Sequence, residues 1–454
     1  MKRHRPRSRT RKNDLNVKPF NTQIMKQIIT IICLVFGVLL QAQQTPAAPQ
    51  TEQVAIFGAT AHIGNGEVIE NCTIIFNDGK ITAIGADLMA PTIGTMINAQ
   101  GKHVYPGFIA PSKSLGLVEV DAVRASNDQD ELGEMIPNIR SIVAYNAESK
   151  VVESMRPNGV LLAQITPKGG RISGTSTIVQ FDAWNWEDAA VKWDDGIHLN
   201  WPSLFRKGSS WLGEPNAFLP NKNYQEQVDE VLTFIQNAKA YGAGTSQELN
   251  LSFAAMQGLF NGSQRLFIHA NGEKEIMDAV TNAQKVGIPH MVVVGGYRAH
   301  KITDFLKQHN IPVLVSEPHA LPQFDDDDYD FPYKLPKLLV DAGLLVGLQN
   351  ESMSNFQTRN LPFYAGQVAG QGLDKEKALQ LITGNTAKIL GIDADYGTLE
   401  VGKSATLFIS EGDALDMRTN QLTKAFIDGR DISLETHQTK LWKRYMGKYE
   451  SEGK

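Results

Sequence analysis

Tyr105-Pro-Gly-Phe-Ile-Ala-Pro-Ser-Lys-Ser-Leu115 opens the central part of the chain. A Pro-Gly pair leads into the apolar run Phe108-Ile109-Ala110, which reads as a buried strand ending in hydroxyls. Side chains alternate along a strand, so Ser112 and Ser114 share the inward face and Lys113 points the other way. The segments beyond residue 264 set the use of this strand. Residues 266–269, 291–294, 312–315 and 344–348 read as strands. Helical spacing separates and succeeds them, at 273–286, 301–308, 335–342, 361–371 and 375–390. Four βα units in series predict parallel strands. The span 103–391 suits a (β/α)8 TIM barrel with insertions, although a doubly wound open sheet has the same rhythm. The earlier half is less regular: 159–164 and 177–181 read as strands, and Tyr224, Val228, Val231, Leu232, Ile235 and Ala238 mark one amphipathic helix.

The flanks are β-rich. Short apolar segments at 54–57, 72–76, 80–84 and 96–98 are punctuated by Gly64-Asn-Gly66 and by Asn77-Asp-Gly79, a hairpin signal. A module of this size is marginal alone. Its partner is at the far end, where 396–410 and 425–430 read as strands and turns. Two strand groups at opposite ends then form one domain with the barrel inserted between them.

Residues 1–24 are polar and basic, and an apolar run at 28–40 precedes Gln41-Ala42-Gln43. That order reads as a secretory signal cut after Ala42, with Met25 a natural start. The run is short for a bilayer span, although a retained anchor is the competing reading. The protein is therefore expected to be exported, to the periplasm or beyond. Residues 1–42 hold nine Lys/Arg and one Asp, a net +8, so the −5 of the whole chain becomes −13 for residues 43–454. This excludes a broadly basic nucleic-acid footprint. Cys33 leaves with the signal, and Cys72 is then alone and reads as a small buried hydrophobe.

Several segments resemble the amidohydrolase superfamily, its imidazolonepropionase-like branch in particular. They are Ile63-Gly-Asn-Gly-Glu-Val-Ile-Glu-Asn71, Asp78-Gly-Lys-Ile-Thr-Ala-Ile-Gly85, Gly101-Lys-His-Val-Tyr-Pro-Gly107, Arg359-Asn-Leu-Pro-Phe-Tyr-Ala-Gly366, Ile382-Thr-Gly-Asn385 and Leu399-Glu-Val-Gly-Lys-Ser-Ala405. Each is weak alone; in this order they are specific for the superfamily and name no substrate. The resemblance implies an α/β chain with a (β/α)8 barrel at 103–391 inserted in a small β-sandwich (43–102 and 392–433). Residues 1–42 are an extension and signal, and 434–454 a C-terminal helix expected to pack on the sandwich.

The family holds one or two divalent metals at the barrel mouth. Its ligands are a His-x-His on strand 1, a Lys or Glu on strand 4, histidines on strands 5 and 6, and an Asp on strand 8. Here the strand-1 histidines fall on Ser112 and Ser114, and the strand-6 histidine on Gly295. His269 matches strand 5. Glu351, or Asn350 with a one-residue shift, matches the strand-8 Asp and is the candidate for proton transfer. Glu317 and His319 offer further metal ligands after strand 7. The run Asp325–Asp328 suits a hard cation or a solvated loop. Arg171, in the Gly-rich stretch 168–176, is the candidate substrate contact. The resemblance therefore implies a hydrolase acting on non-peptide C–N bonds of small amides or cyclic amides, with one divalent metal, zinc, or none. The alternative is a non-catalytic binding or partner subunit lacking a competent metal site. It would work as a homo-oligomer or beside an intact paralogue.

Overall fold

The computed structural model describes residues 45–452 except 87, 90–92, 216, 245–247, 317, 352 and 353. The secretory signal read at 1–42 and the candidate ligand Glu317 lie outside the described residues. No helix among the described residues is long and apolar enough to cross a membrane.

The chain begins with β1 (Val54–His62), β2 (Val68–Asn77), β3 (Lys80–Gly85), β4 (Thr95–Asn98) and β5 (His103–Pro106). The Asn77-Asp78-Gly79 signal does form the β2–β3 hairpin: Asp78 and Gly79 both have positive φ, 49° and 76°, as a tight primed turn requires. Cys72 is buried in β2. Ten strands come next: β6 (Phe108–Lys113), β7 (Val160–Ile165), β8 (Ile172–Gln180), β9 (Ala190–Asn200), β10 (Phe205–Lys207), β11 (Phe218–Pro220), β12 (Arg265–Ala270), β13 (Met291–Gly295), β14 (Val313–Val315) and β15 (Val346–Leu348). The chain returns through β16 (Leu407–Ser410), β17 (Leu422–Ile427) and β18 (Arg430–Ile432).

The two ends share one sheet, ordered β18-β17-β16-β5-β1-β2-β3 with β4 beside β1. The sheet curls on itself: Ile81 N donates to Lys403 O at 2.9 Å and Ala405 N to Gly79 O at 2.8 Å. Inside are Ile56, Ile74, Phe76, Leu407 and Phe426. One residue, Gly107, separates β5 of this sandwich from β6 of the barrel. A Cβ there would lie 2.9 Å from the Thr406 methyl and 3.0 Å from Leu161, so the close crossing needs glycine.

The barrel sheet runs β6-β7-β8-β9-β12-β13-β14-β15 and is nearly closed. The predicted parallel series β12 to β15 is present. β8 is the exception to a uniform (β/α)8 pattern, running antiparallel to β7 and β9. β15 and β6 do not pair directly. Residues 381 and 382 fill the seam, with Leu348 N donating to Leu381 O and Ile109 N to Ile382 O, both at 2.9 Å. The helix expected over 375–390 is consequently two helices, Lys375–Gln380 and Gly384–Leu390, broken where the chain lends its carbonyls to the seam.

The barrel and the sandwich are also tied by charge. Buried Asp182, just past β8, accepts from Arg156 Nη1 (3.3 Å), Arg430 Nη1 of β18 (2.8 Å) and Ala47 N (2.9 Å). The C-terminal helix His437–Glu452 is held by its first turn, His437 N donating to Glu153 Oε1 at 2.6 Å. Its aromatic edge does not pack on the sandwich: Trp442, Tyr445 and Tyr449 are exposed.

Removing the carboxylate of Asp182 leaves the buried Arg156 guanidinium without its counter-charge. Asp182→Ala is expected to cost about 3–5 kcal/mol, the usual loss when one partner of a buried pair is deleted. Chemical denaturation of the two proteins measures it.

Candidate functional site

The C-terminal ends of β6, β9, β12 and β15 converge on one carboxylate. β15 ends at Leu348, and Gln349 N still bonds Val315 O, so the chain leaves the barrel at Asn350 and Glu351. Asn350 is fully buried and its amide nitrogen donates to Gln357 O. Glu351 is the residue that turns into the mouth. Its Oε2 lies 3.1 Å from His269 Nδ1, at the end of β12, and accepts from Ser112 Oγ of β6 at 3.0 Å. His269 Nε2 is in turn 2.9 Å from His198 Nδ1 on β9. The result is a hydrogen-bonded row: Ser112, Glu351, His269, His198.

Burial pushes the Glu351 carboxyl up, but His269 beside it, with help from Lys168 and His198, outweighs this and holds it at about 2. It is ionised at neutral pH. His198 is fully buried and stacked on Phe267, ring centroids 4.7 Å apart. Burial first, and the neighbouring His269 second, hold its pKa well below the usual imidazole range. The network assigns the tautomers. His269 donates Nδ1–H to Glu351; neutral His198 donates Nδ1–H to His269 Nε2. His198 Nε2 then keeps a bare lone pair, buried and without a hydrogen-bond partner among the described residues.

The strand-1 segment departs from simple alternation. Ser112 has φ +54°, a left-handed conformation, and β6 slips its register against β7 between Ala110 and Lys113. Ser112 N is caught by Gln164 Oε1 at 3.1 Å. The kink turns Lys113 away from its expected outward face: it is buried and its ammonium donates to Asn350 O at 2.7 Å. Ser114 Oγ donates to Asn355 Oδ1 at 3.3 Å.

The remaining sequence candidates divide. The Gly-rich stretch does reach the mouth: Lys168 Nζ is 3.4 Å from Glu351 O, and Arg171 Nη1 donates to Asn200 O at the end of β9. His319 does not join. It is exposed and pairs with Gln367. The acidic run is partly structural, because Asp327 bonds Arg298 at 2.8 Å and Tyr297 Oη at 2.6 Å. Sequence reasoning misses His198. Its one signal is the alternation Gly196-Ile-His-Leu-Asn200, which sets His198 between two apolar residues at the end of a strand.

The family's metal does not fit these residues. A catalytic zinc takes three protein ligands. Ser112 and Ser114 offer neutral hydroxyls, and Gly295 offers nothing. Gly295 also has φ +97°, a conformation that a histidine would adopt only under strain. His269 has both nitrogens engaged within the protein. Among the described residues no three His, Cys, Asp or Glu are grouped to hold a metal ion. Of the expected ligands His269, Glu317 and His319, Glu317 lies outside the described residues, and His319 does not join His269 because it leaves on a loop that bonds Gln367.

The amidohydrolase family profile matches residues 333–433. The fold is that of a crystal structure of an amidohydrolase from Thermotoga maritima MSB8, with TM-score 0.71 and 20% identity over 84% of this chain and 99% of that one. The profile matches only this C-terminal part of the chain, and the likeness to the solved structure is one of fold. Molinate hydrolase is similar over 85% of this chain and 95% of its own, with TM-score 0.50 and 14% identity. Phenylurea hydrolase B is similar over 84% and 97%, with TM-score 0.52 and 12% identity. Among curated proteins none matches by sequence.

Two measurements check this site. Purified protein exposed to zinc and then dialysed should hold well below one zinc per chain by elemental analysis. Glu351→Gln removes a charged hydrogen-bond acceptor and should destabilise the fold by about 2 kcal/mol near pH 7. The carboxyl is depressed, so this stabilisation is complete above its ordinary value of 4.5 and fades as pH falls toward about 2. Thermal unfolding of both proteins against pH should show the gap narrowing over that window.

Proposed function

We propose that this chain is an exported hydrolase of the amidohydrolase type that acts on non-peptide C–N bonds in a small amide or cyclic amide. The observation that carries the reading is the ionised Glu351 at the barrel mouth, sharing one oxygen between His269 and the Ser112 hydroxyl. This carboxylate is positioned to take a proton from an attacking water, and His269 is positioned to return one to the departing nitrogen, the two halves of general acid–base catalysis. Arg171 and Lys168 border the same opening and suit a substrate carbonyl or carboxylate. A carboxylate held near 2 is a weak base, so turnover should be slow until a substrate dries the site and parts Glu351 from His269.

The second reading, a non-catalytic binding or partner subunit, is favoured by one specific observation. Every hydrogen-bonding atom of the His269 ring is already satisfied inside the protein, as in a site kept for structure. Such a subunit would act as a homo-oligomer or beside an intact paralogue.

A panel of amides, lactams and arylureas separates the two. The hydrolase reading expects measurable release of amine, lowered about a hundredfold or more in Glu351→Gln. It fails if no member of the panel is turned over, or if the variant keeps the wild-type rate.

A further inference from the structure

We propose that the cleft at the N-terminal end of the barrel, opposite the mouth, binds a small organic anion: an oxyanion group carried on an apolar body. The cleft has a volume of about 480 Å³ and lies where β12, β13, β14 and β15 begin. Five basic side chains line it: Arg265, His290, Lys307, His309 and Lys388. No Asp or Glu is among the lining residues. In a chain of net charge −5, a concave surface with three formal cations, Arg265, Lys307 and Lys388, and no carboxylate is out of keeping with the average.

Of these side chains only Lys307 is ion-paired within the described residues. Lys307 pairs with the exposed Asp304 at 3.1 Å. The side chains of Arg265, His290, His309 and Lys388 make no hydrogen bond or ion pair with another described residue. Arg265 is only partly exposed, and its guanidinium is wedged beside Gly391, where a Cβ would sit 2.3 Å from both terminal nitrogens. The nearest carboxylates that act on it, Asp195 and Asp393, attract it without bonding it, and Asp195 is already taken by Ser176 and Gln164. A half-desolvated guanidinium without an acceptor is costly to keep unless something completes it. A planar oxyanion does so bidentately. Leu306, Ile311, Leu344 and Ile389 form the apolar part of the wall, which suits a hydrophobic body behind the charged group.

The site is separate from the mouth. Arg265 and His269 stand four residues apart on β12, about 13 Å at a strand's rise. An anion in the cleft therefore touches neither His269 nor Glu351, and its binding does not depend on whether the mouth hydrolyses anything.

The test is calorimetric titration of the full chain with phenyl phosphate and with phenylacetate, at ionic strength matched with sodium chloride. Saturable binding of either probe is expected, and the two arms separate a phosphate from a carboxylate ligand. Lys388→Gln with His290→Gln, two exposed positions that leave the fold intact, should weaken it about tenfold. Arg265→Gln should weaken it further, and His269→Ala should leave it unchanged. The proposal is overturned if neither probe binds saturably, if chloride removes the signal, or if Lys388→Gln with His290→Gln binds as tightly as wild type.

Discussion

The barrel closes through a seam that no pair of strands makes. β15 and β6 are joined by main-chain bonds to residues 381 and 382 and, at the mouth, by three side chains of strand 1 reaching across to the strand-8 loop. Ser112 reaches Glu351, Lys113 reaches Asn350 O, and Ser114 reaches Asn355. The ligand set implied by the amidohydrolase resemblance would join strands 1 and 8 through an ion. Here direct hydrogen bonds do that work. The two hydroxyls have the length and polarity of donors: Ser112 finds the Glu351 carboxylate and Ser114 the Asn355 amide oxygen. The absence of histidines at 112 and 114 and the closure of the seam thus rest on the same two hydroxyls.

That seam depends in turn on a buried carboxylate. Asp195, fully buried, accepts from Ser176 Oγ at 2.8 Å and from Gln164 Nε2 at 2.7 Å. The other end of the same Gln164 amide receives Ser112 N. An amide can donate at one end and accept at the other, so Asp195 fixes which way Gln164 points. The fixed carbonyl end then holds Ser112 in its left-handed turn, which aims its hydroxyl at Glu351. Burial pushes Asp195 up to about 6 against the pull of its two donors, so this carboxylate is held in place at an electrostatic cost. Positive φ at a serine is unusual and persists only where its surroundings impose it.

Much of this is legible in the chain. The apolar blocks of β12 to β15 declare their strands because each is short, uninterrupted and followed by a helix of clear spacing. Asn77-Asp-Gly79 declares its hairpin for the same local reason. The failures are tertiary. β9 escapes a reading by pattern because Lys192, Trp193, Asp194 and Asp195 interrupt its apolar run, and His198 goes with it. No local pattern marks Asp195 as buried, because its partners Ser176 and Gln164 come from other strands. The reversed direction of β8 leaves no mark in composition. Strict alternation assigns Lys113 outward, and it holds only while the backbone stays extended. One left-handed residue before Lys113 is enough to turn it inward. His319 shows the converse error: its parity beside Glu317 suggests a ligand, but parity says nothing about where a loop goes after its strand ends.

Charge at the mouth bears on what the site is able to do. A divalent metal carries two positive charges to one point and presents them to a substrate carbonyl. This chain has cations in the same region, Lys113 and Lys168, but both ammonium groups face main-chain oxygens, those of Asn350 and Glu351. These bonds steady the strand-8 loop that carries Glu351, and a substrate carbonyl would have to compete with the Glu351 main-chain oxygen for Lys168. Proton transfer survives such an arrangement, since it needs only a carboxylate and an imidazole in contact. Strong electrophilic activation does not, because it needs cations pointed at the substrate. Under the proposed hydrolase reading, substrates whose carbonyl is already reactive, or whose ring strain helps the C–N bond to open, are therefore the ones this mouth would suit.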